Sequence, residues 1–174
     1  VFFPVLHGPL CEDGTIQGML KLLNIPFVGP SVLGSAVGMD KDVMKRLFQQ
    51  AQIPTAPFLL YTLHNPVAFQ YCVDQLGLPF FIKPANAGSS VGVHKIKSEA
   101  DYKKALEDAL QYDTKIIIEK FVKGREIECS VLGETEFPQA STAGEVISHH
   151  EFYSYEAKYL DENGAEIVIP AKLG

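Results

Sequence analysis

The chain has 174 residues, 47% of them apolar and 21% charged, a balance that excludes a wholly disordered protein. Its formal net charge of −6 leaves no basic footprint for nucleic acid, and no apolar run reaches the roughly 20 residues of a membrane-spanning helix. Cys11, Cys72 and Cys129 lack CxxC spacing, which gives no sign of a disulfide framework or a zinc site and fits a reducing, cytoplasmic compartment.

Val1-Phe2-Phe3-Pro4-Val5-Leu6 opens the chain as a buried strand of the parallel kind. Such a strand needs neighbours, so the chain reads as a fragment; at the other end, residues 167–174 stop just after an apolar stretch. After a Gly-rich turn at 7–14, Thr15 is expected to cap a helix whose apolar residues Met19, Leu20 and Leu23 follow Ile16 by 3, 4 and 7 positions. Pro26-Phe27-Val28-Gly29 is a short strand signal. Asp40 is expected to cap a helix carrying Val43, Met44, Leu47 and Phe48, which Pro54 and Pro57 end. The linker at these prolines is the expected domain boundary.

Residues 58–61 read as a strand, 67–76 as a helix and 80–83 as a strand. The loop Pro84-Ala85-Asn86-Ala87-Gly88-Ser89-Ser90 leads to a returning strand at 91–96. Ser98 is expected to cap a helix with Ala105, Leu106, Ala109 and Leu110 on one face. Residues 115–121 and 126–132 read as two more strands around Val122-Lys123-Gly124-Arg125. Residues 141–163 are polar, rich in Tyr and Glu, and carry little strand or helix signal. A loop of about 20 residues is usually functional or disordered. The order of elements predicts an α/β protein with a parallel-sheet N-terminal portion and an α+β second part.

Four constellations could carry chemistry. The first is Lys83 at a strand end before Gly88-Ser89-Ser90-Val91-Gly92. Backbone N–H groups in a small-residue loop can approach phosphate oxygens closely, and a lysine adds a point charge. The same residues also fit a tight hairpin with an exposed lysine, and no GK[ST] opens a helix as in a P-loop. The second is the apolar strand Ile116-Ile117-Ile118 ending in Glu119-Lys120, with Phe121, Val122 and Glu126 after it. It fits a nucleotide-binding hinge, where backbone groups pair with an adenine edge and carboxylates accept from ribose; it equally fits a central strand ending in a solvated charge pair. The third is Glu151-Phe152-Tyr153-Ser154-Tyr155-Glu156-Ala157-Lys158-Tyr159. It reads either as a lid that excludes water and brings Lys158 onto a phosphate or as a surface segment. The fourth is His7-Gly8 with Glu12-Asp13-Gly14 at the carboxyl end of the first strand, the edge where open α/β sheets bind ligands.

Five motifs occur together in one order: His7-Gly8 with Glu12-Asp13-Gly14-Thr15 and Gln17-Gly18; Met39-Asp40-Lys41; Lys83-Pro84 with Gly88-Ser89-Ser90-Val91-Gly92; Glu119-Lys120 with Glu126; and Tyr155-Glu156-Ala157-Lys158-Tyr159. In these the chain resembles, over its whole length, the D-alanine–D-alanine ligase family of the ATP-grasp superfamily. The resemblance implies ATP clamped between two antiparallel sheets, with Lys41, Lys83, Glu119, Lys120, Val122, Glu126 and Lys158 around the nucleotide. It implies Glu12 near the amino group of the first D-alanine, His7 as a further substrate-binding residue, Lys158 at the γ-phosphate, and a hydrogen-bond network of Ser89 and Tyr159 that closes the lid. A tyrosine at position 159 is the family's mark for D-alanine as second substrate; depsipeptide-forming relatives carry phenylalanine. The implied division is a partial N-terminal domain at 1–54, a central ATP-grasp subdomain at 55–135, and the lid with the start of a catalytic domain at 136–174.

A further catalytic glutamate is expected before Val1. An oxyanion arginine and the Asp, Glu and Asn ligands of magnesium (or manganese) are expected beyond Gly174, so no metal ligand is expected within this chain. The turn Pro9-Leu10-Cys11 is bulkier than the family's small-residue turn. The implied product is D-alanyl-D-alanine for peptidoglycan and cell-wall synthesis, made through an acyl phosphate by a homodimer. Alternatives are another ATP-grasp carboxylate–amine ligase, a D-alanine–D-lactate ligase, or a nucleotide-binding module without catalysis.

Overall fold

The structure is a computed structural model that describes residues 1–149, 161 and 164–173. The chain divides into two compact units, Val1–Phe121 and Val122–Gly174.

The first unit is built on a four-stranded sheet of β1 (Phe58–Thr62), β2 (Phe80–Pro84), β3 (His94–Ile96) and β4 (Lys115–Lys120) in the order β1-β4-β2-β3. Every pair is antiparallel. The most apolar strand, β4, sits inside the sheet, where Ile116, Ile117 and Ile118 are fully buried. Two helices, α4 (Phe69–Leu76) and α5 (Glu99–Ala109), pack their apolar stripes on one face. Cys72, Leu76, Tyr102 and Ala109 from the helices meet Phe80 and Ile118 from the sheet in one core. Each such aromatic or branched side chain contributes roughly 1.5–3 kcal/mol when fully buried. Tyr102 stays satisfied there by donating its hydroxyl to the Val67 carbonyl at 2.5 Å. Ser98 caps α5 as expected, its Oγ accepting from Asp101 N at 3.3 Å.

Ahead of the sheet lie α1 (Thr15–Leu22), α2 (Val32–Met39) and α3 (Lys41–Gln50). Three expectations change here. Thr15 is the first residue of α1 rather than its cap: Gly14 takes that place at φ 96, and the Asp13 carboxylate accepts from Thr15 N at 2.9 Å. Helix α2 was not expected, because two glycines dilute its pattern; Ser31 starts it by accepting from Gly34 N at 3.1 Å. The opening run forms no strand among the described residues, only a parallel bridge between Phe2 and Phe27. That bridge has the expected direction, and a strand forms only where a partner continues the ladder. Asp40 caps α3 as expected, accepting from Asp42 N at 3.0 Å and Val43 N at 3.2 Å.

In the second unit, β5 (Glu126–Glu128), β8 (Gly144–Ser148) and β9 (Ala165–Val168) form an antiparallel sheet in the order β5-β8-β9. A two-stranded ribbon joins β6 (Val131–Leu132) to β7 (Gln139–Ala140). The single strand expected at 126–132 is therefore two, parted where Ser130 N donates to Ser141 Oγ at 3.0 Å. Residues 144–148, expected within a loop, form β8 because β5 and β9 supply ladder partners on both sides and Val146 is buried. Among the described residues no helix is long and apolar enough to cross a membrane.

Candidate active site

Register decides which side chains share the sheet face turned away from α4 and α5. Across β2 and β4, Lys83 lies opposite Ile117 and Phe81 opposite Glu119; from β1, Phe58 also lies opposite Glu119. Directly opposed residues share a face, so Phe58, Phe81, Lys83 and Glu119 stand together. Lys83 Nζ donates to Glu119 Oε2, and Lys45 Nζ of α3 binds Glu119 Oε1. One turn earlier on the same helix face, Lys41 Nζ donates to the Ala87 carbonyl at 2.6 Å and the Ala85 carbonyl at 3.4 Å.

The electrostatics follow from this crowding. Burial pushes the Glu119 carboxyl up, but Lys83 and Lys45 together outweigh it and hold the group below the usual carboxylate range. Burial, and next the like charge of Lys83, push the Lys41 ammonium down. Two mutually repelling ammonium groups beside a loop make a place where an added anion lowers the energy of both.

The loop at 85–93 is tied at its base. Asn86 donates through N and Nδ2 to Asp113 Oδ2 at 2.8 and 2.9 Å, and Asp113 Oδ1 accepts from Lys115 N at 3.1 Å. At its tip Ser89 and Ser90 hold φ of 53° and 60°, a left-handed conformation that costs an L-residue roughly 1–2 kcal/mol. Strain of this kind gathers at ligand-binding turns. Gly92, at φ +65°, is required: a Cβ there would lie 2.8 Å from Tyr112 Cδ2 and 3.0 Å from Pro84 Cγ. Gly92→Ala is expected to destabilise the protein by about 1–3 kcal/mol. An unchanged denaturation midpoint would show that the loop accommodates the methyl group.

The turn at 7–14 meets this loop. Glu12 Oε2 accepts from Gly8 N at 2.6 Å, and a Cβ built on Gly88 would lie 4.0 Å from the same oxygen. Asp13 pins the turn by accepting from Leu10 N at 2.8 Å, and Gln17 Nε2 donates to the Cys11 carbonyl at 3.0 Å. His7 is exposed on the same turn.

Glu12, Lys41, Lys83, Ser89 and Glu119 thus belong to connected parts of the first unit. Lys120 differs: it lies opposite Phe80, on the other strand face from Glu119, with its side chain exposed and its N–H donating to the Pro57 carbonyl at 2.9 Å. Val122 and Glu126 belong to the second unit and are exposed. Lys158, Tyr159 and the expected lid at 151–159 lie outside the described residues. Sequence reasoning missed Lys45, Asn86 and Asp113. Lys45 had a usable signal, since it follows Lys41 by four positions and must share its helix face; the pairing of Asn86 with Asp113 left none.

Family models described as D-ala D-ala ligase N-terminus and C-terminus match residues 1–30 and 47–174. The chain belongs to the D-alanine–D-alanine ligase family. It is 55% identical to the D-alanine–D-alanine ligase of Shouchella clausii over 99% of this chain and 47% of that protein. It is 52% identical to D-alanine–D-alanine ligase A of Escherichia coli K12, over 99% of this chain and 48% of that protein. Among solved structures, the VanG D-Ala:D-Ser ligase of Enterococcus faecalis superposes with a TM-score of 0.86 at 36% identity, covering 99% of this chain and 50% of that one. The D-alanyl-alanine synthetase A of Vibrio cholerae gives 0.83 at 34% identity, covering 98% and 52%. The chain therefore spans about half the length of the D-alanine–D-alanine ligases it matches. The fold is the ATP-grasp fold of this family, mixed helix with antiparallel sheets, and the family is ATP-dependent.

Proposed function

We propose that the full-length protein joins two D-alanines into D-alanyl-D-alanine at the expense of ATP, in the cytoplasm, for peptidoglycan and cell-wall synthesis. The observation that carries this reading is the gathering of Lys41, Lys83 and Glu119 beside the strained loop, with Glu12 against Gly88. Lys41 and Lys83 neutralise the phosphates of ATP, and the loop's N–H groups bind phosphate oxygens. Glu12 holds the first D-alanine by its ammonium group, and His7 is a further substrate-binding residue. The carboxylate oxygen of that D-alanine then attacks the γ-phosphorus and ADP leaves, giving an acyl phosphate. The amine of the second D-alanine attacks the resulting carbonyl, and inorganic phosphate departs with one of the original carboxylate oxygens.

Further roles rest on the family resemblance. Glu119, Lys120, Val122 and Glu126 take the adenine and ribose, Lys158 the γ-phosphate, and Ser89 with Tyr159 closes the lid. Magnesium or manganese would supply further charge neutralisation; among the described residues no three His, Cys, Asp or Glu side chains are placed to hold a metal ion. The functional division at 1–54, 55–135 and 136–174, and assembly as a homodimer, belong to the same reading.

The test is turnover of full-length protein with ATP and D-alanine carrying ¹⁸O in its carboxylate. Equimolar ADP and dipeptide, with label in the released phosphate, are expected. ADP without dipeptide, or unlabelled phosphate, would overturn the route, and a nucleotide-binding module would bind ATP and release neither product. The likeness to a D-Ala:D-Ser ligase makes the second substrate a separate question. Tyr159→Phe is expected to raise ester formation from D-lactate relative to dipeptide by about 10-fold or more, because losing one polar group changes which nucleophile is tolerated. An unmoved product ratio in direct competition would leave Tyr159 without a part in selection.

A further inference from the structure

Glu119 is held by two lysines in unequal settings. Lys83 is partly open, with a side chain 21% exposed, whereas the Lys45 side chain is 5% exposed. Lys45 has no freedom to leave. Its Nζ binds Glu119 Oε1, donates to Thr55 Oγ1 at 2.6 Å, and lies 5.2 Å from the centre of the Phe58 ring. A buried charge stripped of its partner is strongly penalised, so if Lys83 alone neutralised Glu119, an arriving phosphate would compete with Glu119 for that ammonium group.

We propose that Lys45 is a positioning residue: a permanent buried counter-ion that keeps Glu119 charged and in place while Lys83 turns its charge toward the nucleotide phosphates. The three partners of Lys45 come from different places, the linker at Thr55, strand β1 at Phe58 and strand β4 at Glu119, so one ammonium group also fixes α3 to the sheet. Lys41 is carried one turn earlier on that helix, and its position against the Ala85 and Ala87 carbonyls depends on the same attachment. This inference rests on the nucleotide site proposed above.

The experiment measures ATP binding and steady-state kinetics in the full-length wild type, Lys45→Met, Lys45→Arg and Thr55→Val. Lys45→Met is expected to weaken ATP binding and raise KM for ATP about 10-fold, the scale of one charge-assisted hydrogen bond, with a smaller change in kcat. Losing one of its two cations, Glu119 titrates at higher pH, so the acid limb of kcat/KM moves to higher pH. Lys45→Arg recovers part of both effects, and Thr55→Val gives a weaker version of them in a protein that keeps the ion pair. A folded Lys45→Met with wild-type KM and an unmoved acid limb overturns the inference. If Lys45→Met does not fold, Thr55→Val with wild-type KM and acid limb overturns it. Failure of the wild type itself to bind ATP overturns the nucleotide site instead.

Discussion

Lys83→Met in the full-length protein is expected to lower kcat roughly 10²–10³-fold and to raise KM for ATP, as removal of one preorganised charge at a developing anion does. The expectation comes from place rather than residue type. Lys83 is the penultimate residue of β2, one before Pro84 and the loop, with its ammonium on Glu119 and its charge felt by Lys41. Methionine keeps the stem and its packing but cannot meet a phosphate. The substitution also leaves Glu119 with Lys45 as partner, so the fold survives and the loss is read in chemistry. Steady-state kinetics over a range of ATP concentrations separate the two parts: a KM effect alone would mean that Lys83 only binds, whereas a fall in kcat at saturating ATP means that it acts on the transferring phosphoryl group. Unchanged kinetics would remove Lys83 from the site.

Much of the first unit could be read from the sequence because local and long-range signals agreed. Asp40 and Ser98 precede amphipathic runs and do cap helices. The Ile116-Ile117-Ile118 run is too apolar for an edge, and it lies inside the sheet. Where local pattern was weak, the reading failed. Helix α2 has small residues and no polar face, and β8 has only five residues whose strand character comes from partners far along the chain. The site divides similarly. Lys83, Ser89 and Glu119 are marked by a strand end, a small-residue loop and an abrupt change from apolar to charged. Lys45 looks like any helix-surface lysine until α3 is laid against β1 and β4, and then it is among the most buried charges of the described residues. Lys41 and Lys45, like charges four residues apart, would cost an isolated helix roughly 0.2–0.5 kcal/mol; the Glu119 carboxylate at Lys45 offsets that repulsion.

Glu119→Gln is expected to lower stability by about 3–5 kcal/mol, the scale of breaking a buried pair by removing one partner. A neutral amide can accept from one lysine through its oxygen, but its NH₂ group then faces the other ammonium, and Lys41 loses the nearby negative charge that favoured its charged form. The pH dependence follows from the direction of the Glu119 shift. Its carboxyl titrates below the usual range in the folded protein because Lys83 and Lys45 outweigh burial. Its contribution is therefore complete above the ordinary carboxylate range and is lost as pH falls through the lower, folded value. The stability gap between wild type and Glu119→Gln is flat at neutral pH and closes in acid; a gap that persists unchanged into acid would mean that shape, not charge, is lost. Tripolyphosphate supplies the missing negative charge to Lys41 and Lys83, so its addition should raise the denaturation midpoint of Glu119→Gln more than that of the wild type. Equal increments would show that these lysines and Glu119 do not share one electrostatic site.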